Sequence, residues 1–108
     1  MAMDDLAAQR RFLLESEHGI RLANRAAIHR RVPRMTAQSI LPFAASVANL
    51  RARYLEAAFE FAETDGDDVP DDDQVSALRR HRECYEEARD AFDALRHAIE
   101  RGYIDLGD

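Results

Sequence analysis

The sequence is poor in the residues that cross-link, break or anchor a chain. It contains no lysine, no tryptophan and one cysteine, with four glycines and three prolines among 108 residues. A single cysteine excludes an intramolecular disulfide framework and a zinc site built from cysteines. No apolar run approaches membrane-spanning length, and the first residues lack the basic start and apolar core of a signal peptide. We therefore expect a cytoplasmic protein with no membrane contact.

What the sequence does contain favours helix. Alanine, arginine, glutamate and leucine are abundant, and all four are strong helix formers. All 15 basic residues are arginine, which we interpret as the codon bias of a GC-rich, bacterial genome. A chain of 108 residues is long enough for one core. The composition thus predicts a single all-α domain over residues 1–108.

The middle of the chain carries the strongest periodicity. Apolar residues recur there at alternating intervals of three and four: Ile40, Phe43, Val47, Leu50, Tyr54, Ala57 and Phe61. This heptad spacing returns the side chains to one face of a helix. Further apolar residues flank that face: Leu41, Ala44, Ala48, Leu55, Ala58 and Ala62. A helix with so narrow a polar stripe is mostly covered by neighbours, so we expect the rest of the chain to pack around residues 39–63.

Similar heptad patterns predict helices at about residues 4–31 and 72–101. An acidic loop, residues 64–73, precedes the third helix, and a short tail, residues 102–108, follows it. Short connections make sequential helices antiparallel, so we predict an up-down-up three-helix bundle with long helices. A bundle of three long, thin helices has a large apolar surface relative to the size of its core. We therefore expect it to associate into a larger helical bundle as a homodimer. The tail either docks on the bundle or contacts a partner.

N-terminal capping residues indicate where the second and third helices begin. A cap at Thr36 would place Pro42 inside the central helix, whereas a cap at Ser39 places it in the first turn, where its missing N–H costs little. We favour a short helical turn at Thr36 that leads into the main helix near Ser39. Asp71 and Gln74 have the spacing of a capping box and predict the start of the third helix.

Two glycines fall at informative positions. Gly19 lies within the first helical pattern, where it costs about 1 kcal/mol relative to alanine. The heptad phase continues across it, which favours one helix over two, and it could also mark a close approach of two helices. Gly102 follows the last periodic residue and is a natural C-terminal stop.

Charge is distributed unevenly along the chain. Residues 1–53 carry nine arginines and four carboxylates, a net charge of +5, whereas residues 54–108 carry six arginines and seventeen carboxylates, a net charge of −11. The basic cluster consists of Arg21, Arg25, His29, Arg30, Arg31 and Arg34. The acidic cluster consists of Asp65, Asp67, Asp68, Asp71, Asp72 and Asp73. We predict that these clusters are opposite poles of an interaction surface, which an antiparallel homodimer would bring together.

The basic cluster has a second interpretation, because arginines bind phosphate and could bind nucleic acid. Arg11 and His18, with six residues between them, are similar in spacing to the Arg and His motif of HEPN-type ribonucleases, which are also helical bundles. That resemblance covers two residues, and it implies a ribonuclease that uses this pair.

Metal and cofactor sites have little support in the sequence. Glu15 and His18 have the Glu-x-x-His spacing of diiron bundles, but no other histidine has a glutamate three residues earlier. The acidic loop does not match the EF-hand pattern. His81 and Cys84 could ligate a metal or form a thiol–imidazole pair, yet at their positions they are more often core residues. We expect no metal, haem or other cofactor.

No phosphate-binding glycine loop, nucleophile elbow or pair of catalytic carboxylates is found in the sequence. The sequence therefore predicts a non-enzymatic protein–protein interaction module, such as an adaptor, assembly factor, chaperone or antitoxin-like regulator. The alternatives are a nucleic-acid-binding helical protein, a HEPN-like ribonuclease and a metal- or haem-binding bundle.

Overall fold

The computed structural model describes residues 2–32, 34–63 and 69–107. These residues form three helices and no strand: α1 (Ala2–His29), α2 (Ala37–Ala62) and α3 (Asp72–Glu100). The predicted all-α class is thereby confirmed, and α2 and α3 pack together in a helical bundle. Each helix begins and ends within two residues of its predicted bounds. None of the described helices is long and apolar enough to cross a membrane.

The chain divides into two compact units. The first unit consists of Met1–Thr36 together with His97–Asp108, and the second unit is Ala37–Arg96. The second unit is therefore a helical hairpin, made of α2 and most of α3. A single domain over the whole chain stays a prediction.

In the second unit, the heptad faces of the two helices meet. The rings of Phe43 and Phe92 lie edge to face with 5.5 Å between centroids. The rings of Tyr54 and Tyr85 are stacked at 6.1 Å. Since early residues of α2 meet late residues of α3, the two helices are antiparallel, as predicted. Val47, on the same face of α2, is buried.

The two helix starts differ in how well the sequence predicts them. Helix α2 begins at Ala37, so the predicted start near Ser39 is wrong and Pro42 lies inside the helix. The segment is helical although proline lacks the N–H that would bond one turn back, and the next residue, Phe43, contacts Phe92 of α3. At α3 the predicted capping box is confirmed: Gln74 N donates to Asp71 Oδ1 at 2.7 Å, and Asp71 N donates to Gln74 Oε1 at 2.9 Å.

The first unit is closed by the C-terminal tail. Gly102 adopts φ 76°, a left-handed conformation that ends α3 as predicted. Tyr103 N then donates to Ala98 O at 2.9 Å. Further along, Met35 N donates to Asp105 O at 2.9 Å, and Gly107 N donates to Met35 O at 2.8 Å. The tail therefore docks on the segment between α1 and α2.

The interior of the first unit is small. Ile104 in the tail is 5% exposed and Met35 is 8% exposed. The backbone hydrogen bonds that join Met35 to Asp105 and Gly107 position these two side chains. By contrast, Leu6 and Leu13, which are seven residues apart on α1, are more than half exposed.

Helix α1 runs without a break through Gly19, so the predicted single helix is confirmed. A Cβ atom added at Gly19 would meet nothing within 4 Å. The structure therefore shows no close approach of a second helix at this glycine.

Candidate interaction surface

Helix α2 has a second apolar seam beside the one that packs on α3. This outer seam consists of Leu41, Ala45, Ala48, Ala52, Leu55, Phe59 and Ala62. Its residues alternate in steps of four and three, which is the spacing of a helix that pairs with another helix. All seven are exposed. Leu41 is 64%, Leu55 51% and Phe59 70% exposed.

The outer seam is exposed because one hairpin partner covers one side of a helix. The inner seam, from Ile40 to Phe61, faces α3 and is half-buried or buried over most of its length. The prediction that α2 is mostly covered by neighbours is therefore wrong for its outer half. A helix that is apolar on both sides gains stability from a second partner, because about 25 cal/mol is released per Å² of apolar surface buried.

The basic cluster lies at the end of α1, and part of it is engaged within the first unit. The Arg25 guanidinium donates to an Asp105 carboxylate oxygen and also, at 2.7 Å, to Gly102 O. His29 Nδ1 lies 3.3 Å from the other oxygen of the same carboxylate. The side chains of Arg25 and Asp105 are 42% and 43% exposed, so water screens this pair only in part.

The rest of the basic cluster is exposed: Arg21, Arg30, Arg31 and Arg34. Sequence reasoning had no partner for Arg25 and His29 and missed Asp105 altogether. The available signal was the tail itself, whose apolar residues Ile104 and Leu106 flank the acid. Docking of that tail is what brings the carboxylate to the cluster.

The acidic cluster falls partly outside the described residues, which exclude Asp65, Asp67 and Asp68. Asp71 accepts the capping hydrogen bond of α3. Asp72 and Asp73 occupy the first turn of that helix and are exposed. Carboxylates at this end of a helix are favoured by its dipole, so these three residues have a structural reason to be acidic.

Tyr85 in the second unit lies close to two guanidinium groups. Arg51 Nε donates to its hydroxyl at 3.2 Å. The guanidinium carbons of Arg51 and Arg89 lie 5.2 and 5.5 Å from its ring centroid. The hydrogen bond from Arg51 is the main cause that lowers the pKa of Tyr85 below its ordinary value. The sequence alone does not reveal these arginine partners of Tyr85.

The other residues considered for chemistry do not assemble into a site. His81 and Cys84 are both exposed, so their predicted place in the core is wrong. Arg11, Glu15 and His18 are exposed on α1. Within the described residues, no group of three or more histidine, cysteine or acidic side chains is placed to hold a metal ion.

Two surface features thus distinguish this chain: the outer seam of α2, and the basic cluster with its tail contact. Comparison with protein families, curated proteins and solved structures finds no match for the chain.

Proposed function

We propose that this protein is a non-enzymatic protein–protein interaction module whose contact surface is the outer seam of α2. The observation that carries the proposal is the exposure of all seven seam residues, in heptad spacing, on a helix whose other side is already packed. Contiguous exposed apolar patches on folded proteins mark interaction sites. Scattered surface leucines would not repeat in steps of four and three along 22 residues.

The energetics of this surface favour a protein partner. Full burial of a leucine or phenylalanine side chain is worth about 1.5–3 kcal/mol. Leu41, Leu55 and Phe59 are each more than half exposed, so most of that free energy is available on binding. An apolar helix face supplies no hydrogen bonds, so the partner must offer apolar side chains at matching spacing, as another amphipathic helix does.

The charge distribution supports contact with protein rather than with nucleic acid. Two members of the basic cluster, Arg25 and His29, are paired with the chain's own Asp105. Phosphate contacts require arginines that are free to turn toward a backbone. The same proposal places the protein in the cytoplasm, where a reduced, exposed thiol such as that of Cys84 is maintained.

The proposal is tested by placing a charge on the seam. Phe59→Glu should abolish every complex that the protein forms, with itself or with a protein in cell extract, because a buried unpaired carboxylate is strongly unfavourable. Ser46→Glu is the matched control: it adds the same charge to the same helix at an exposed position off the seam. Complexes are followed by size-exclusion chromatography with light scattering, and folding by circular dichroism. Complexes that survive Phe59→Glu would overturn the proposal.

Nucleic-acid binding through the exposed arginines is the second candidate. Arg21, Arg30 and Arg31 are exposed along the end of α1, and this is the feature that favours it. The double substitution Arg30→Ala and Arg31→Ala should then abolish salt-sensitive binding of RNA or DNA in a fluorescence anisotropy titration. Phe59→Glu should leave such binding unchanged, which separates the two candidates.

A further inference from the structure

The order of large and small residues along the outer seam is specific. Leu41 begins the seam, alanines occupy positions 45, 48 and 52, and Leu55 and Phe59 follow before Ala62 ends it. Counted in seam positions from Ala52, each large residue on one side has an alanine at the corresponding position on the other side, to within one residue. The seam is therefore complementary to its own reverse.

We propose that the occupant of the outer seam is the outer seam of a second copy, running antiparallel about a twofold axis near Ala52. This inference rests on the proposed function and names its partner. In that arrangement, Leu41 lies at the level of Ala62 of the second copy. Ala45 lies at the level of Phe59, and Ala48 at the level of Leu55. A twofold interface of this kind uses the same patch on both copies and closes at a dimer.

The parallel arrangement of two copies fits less well. It would set Phe59 against Phe59 and Leu55 against Leu55, while Ala45, Ala48 and Ala52 would face their equivalents. Large residues would hold the helices apart where the alanines leave gaps, and empty space at an interface forfeits packing energy. Alternation of large and small residues across an interface allows close packing along its length. The antiparallel arrangement supplies that alternation at every level except the axis, where the two copies of Ala52 meet.

Charge complementarity points to the same orientation. Arg34 lies three residues before the first residue of α2, and Glu63 directly follows its last residue. An antiparallel pair sets the positive charge that precedes each α2 near the negative charge that follows the other. A parallel pair would place like charges together at both ends, which is unfavourable.

Arg51 is one of the charged residues that adjoin the seam near the proposed axis. Arg51 precedes Ala52, so two copies of this arginine would approach each other in the dimer. Its guanidinium, however, donates to Tyr85 Oη and lies over that ring, on the side of α3. The hydrogen bond thus turns the charge away from the seam and leaves Ala52 as the contact surface at the axis.

The dimer and its orientation are tested together by disulfide cross-linking. Cys84 is exposed, so all variants carry Cys84→Ser to remove its own reactivity. Ala52→Cys should cross-link two copies under mild oxidation, because the two equivalent residues meet at the axis. Ala45→Cys is the matched control: with seven residues to the axis in each copy, its two equivalents lie about 21 Å apart along the helices. That separation far exceeds the Cα spacing of a disulfide, about 4.4–6.8 Å.

The expected result is a cross-linked dimer for Ala52→Cys and none for Ala45→Cys. Light scattering of the wild type should show a dimer whose dissociation constant rises with salt, since the charges at the helix ends are screened. Phe59→Glu should raise that constant by roughly 100-fold or more, because two phenylalanines leave the interface. Ser46→Glu should leave it within a few-fold of the wild type.

Several outcomes would overturn the inference. Cross-linking of both cysteine variants would show a parallel pair. A dimer that is cross-linked by neither variant and is indifferent to Phe59→Glu uses another face, and Leu13→Glu then tests α1. A wild type that is monomeric at all concentrations excludes the second copy as occupant. In that case, a complex with a protein from cell extract that is lost with Phe59→Glu and kept with Ser46→Glu would support the proposed function. A complex that persists in both variants would contradict both the proposed function and this inference.

Discussion

Gly19→Ala should stabilise the first unit. Gly19 lies ten residues or more from either end of α1, so it has the full helical backbone on both sides. Glycine in a helix interior is about 0.8–1 kcal/mol less favourable than alanine. The new Cβ would meet nothing within 4 Å, so neither a clash nor new packing alters that value. We therefore expect the free energy of unfolding to rise by about 1 kcal/mol.

Thermal unfolding followed by circular dichroism measures this change. For a chain of this length, 1 kcal/mol corresponds to a rise in Tm of about 5 °C. Gly102→Ala is the matched control, because its Cβ would also meet nothing within 4 Å. Its φ of 76°, however, is left-handed, where a Cβ costs about 1–2 kcal/mol. The same substitution in the same unit should therefore lower the Tm.

An unchanged or lower Tm for Gly19→Ala would refute this reasoning. It would mean that α1 is not helical at residue 19 in solution, or that another helix approaches it there closely enough to exclude a methyl group. Light scattering of the variant separates these cases, since a closely packed helix from a second copy would be displaced.

Three further predictions concern the tail and Tyr85. A double-mutant cycle with Arg25→Ala and Asp105→Ala should give a coupling of about 0.2–1 kcal/mol that falls with salt, as expected for a half-exposed ion pair, and zero coupling would contradict the pairing. Ile104→Ala should lower the free energy of unfolding by about 2 kcal/mol or more, measured by urea denaturation, because it empties a buried site; an unchanged midpoint would show that the tail is not docked. Arg51→Gln should raise the pKa of Tyr85 toward its ordinary value, followed by phenolate absorbance against Tyr85→Phe. Folding lowers the pKa of Tyr85, so its phenolate form favours the folded state. The stability of the wild type relative to Tyr85→Phe should therefore grow as pH rises through the folded pKa, and this gain should be lost as pH falls through it.

The helices and their main contact were accessible from the sequence because they depend on local pattern. Heptad spacing set the inner seam of α2 against α3, and the contact of Phe43 with Phe92 follows from that register. The capping box and Gly102 fixed the start and end of α3 through chemistry confined to a few residues. The start of α2 could not be fixed in the same way. Whether Pro42 ends or tolerates a helix depends on packing against α3, which local pattern does not contain.

The tail contact was inaccessible for a different reason. Arg25 and Asp105 are separated by 80 residues, and nothing in the local sequence of either specifies the other. Their meeting depends on the backbone pairing of Met35 with the tail, and that pairing depends in turn on where Gly102 redirects the chain. Long-range ion pairs of this kind follow from the fold and cannot be read before it.

The outer seam could be predicted only in part from the sequence, and it gives a reason for the alanine content of α2. Spacing alone showed that α2 is apolar beyond one seam, but a wide apolar surface fits both a helix surrounded by its own chain and a helix shared with a partner. Exposure favours the second of these, as we propose: Ala45, Ala52 and Phe59 are solvent-accessible although the opposite side of the helix is packed. Alanines that served helix propensity alone could be replaced by glutamate or arginine, which are nearly as favourable in a helix and more soluble. Retaining alanine at the centre of an exposed seam is reasonable where another backbone must come close, and this is why Ala52 is the position at which a bulkier residue should damage association without unfolding the hairpin.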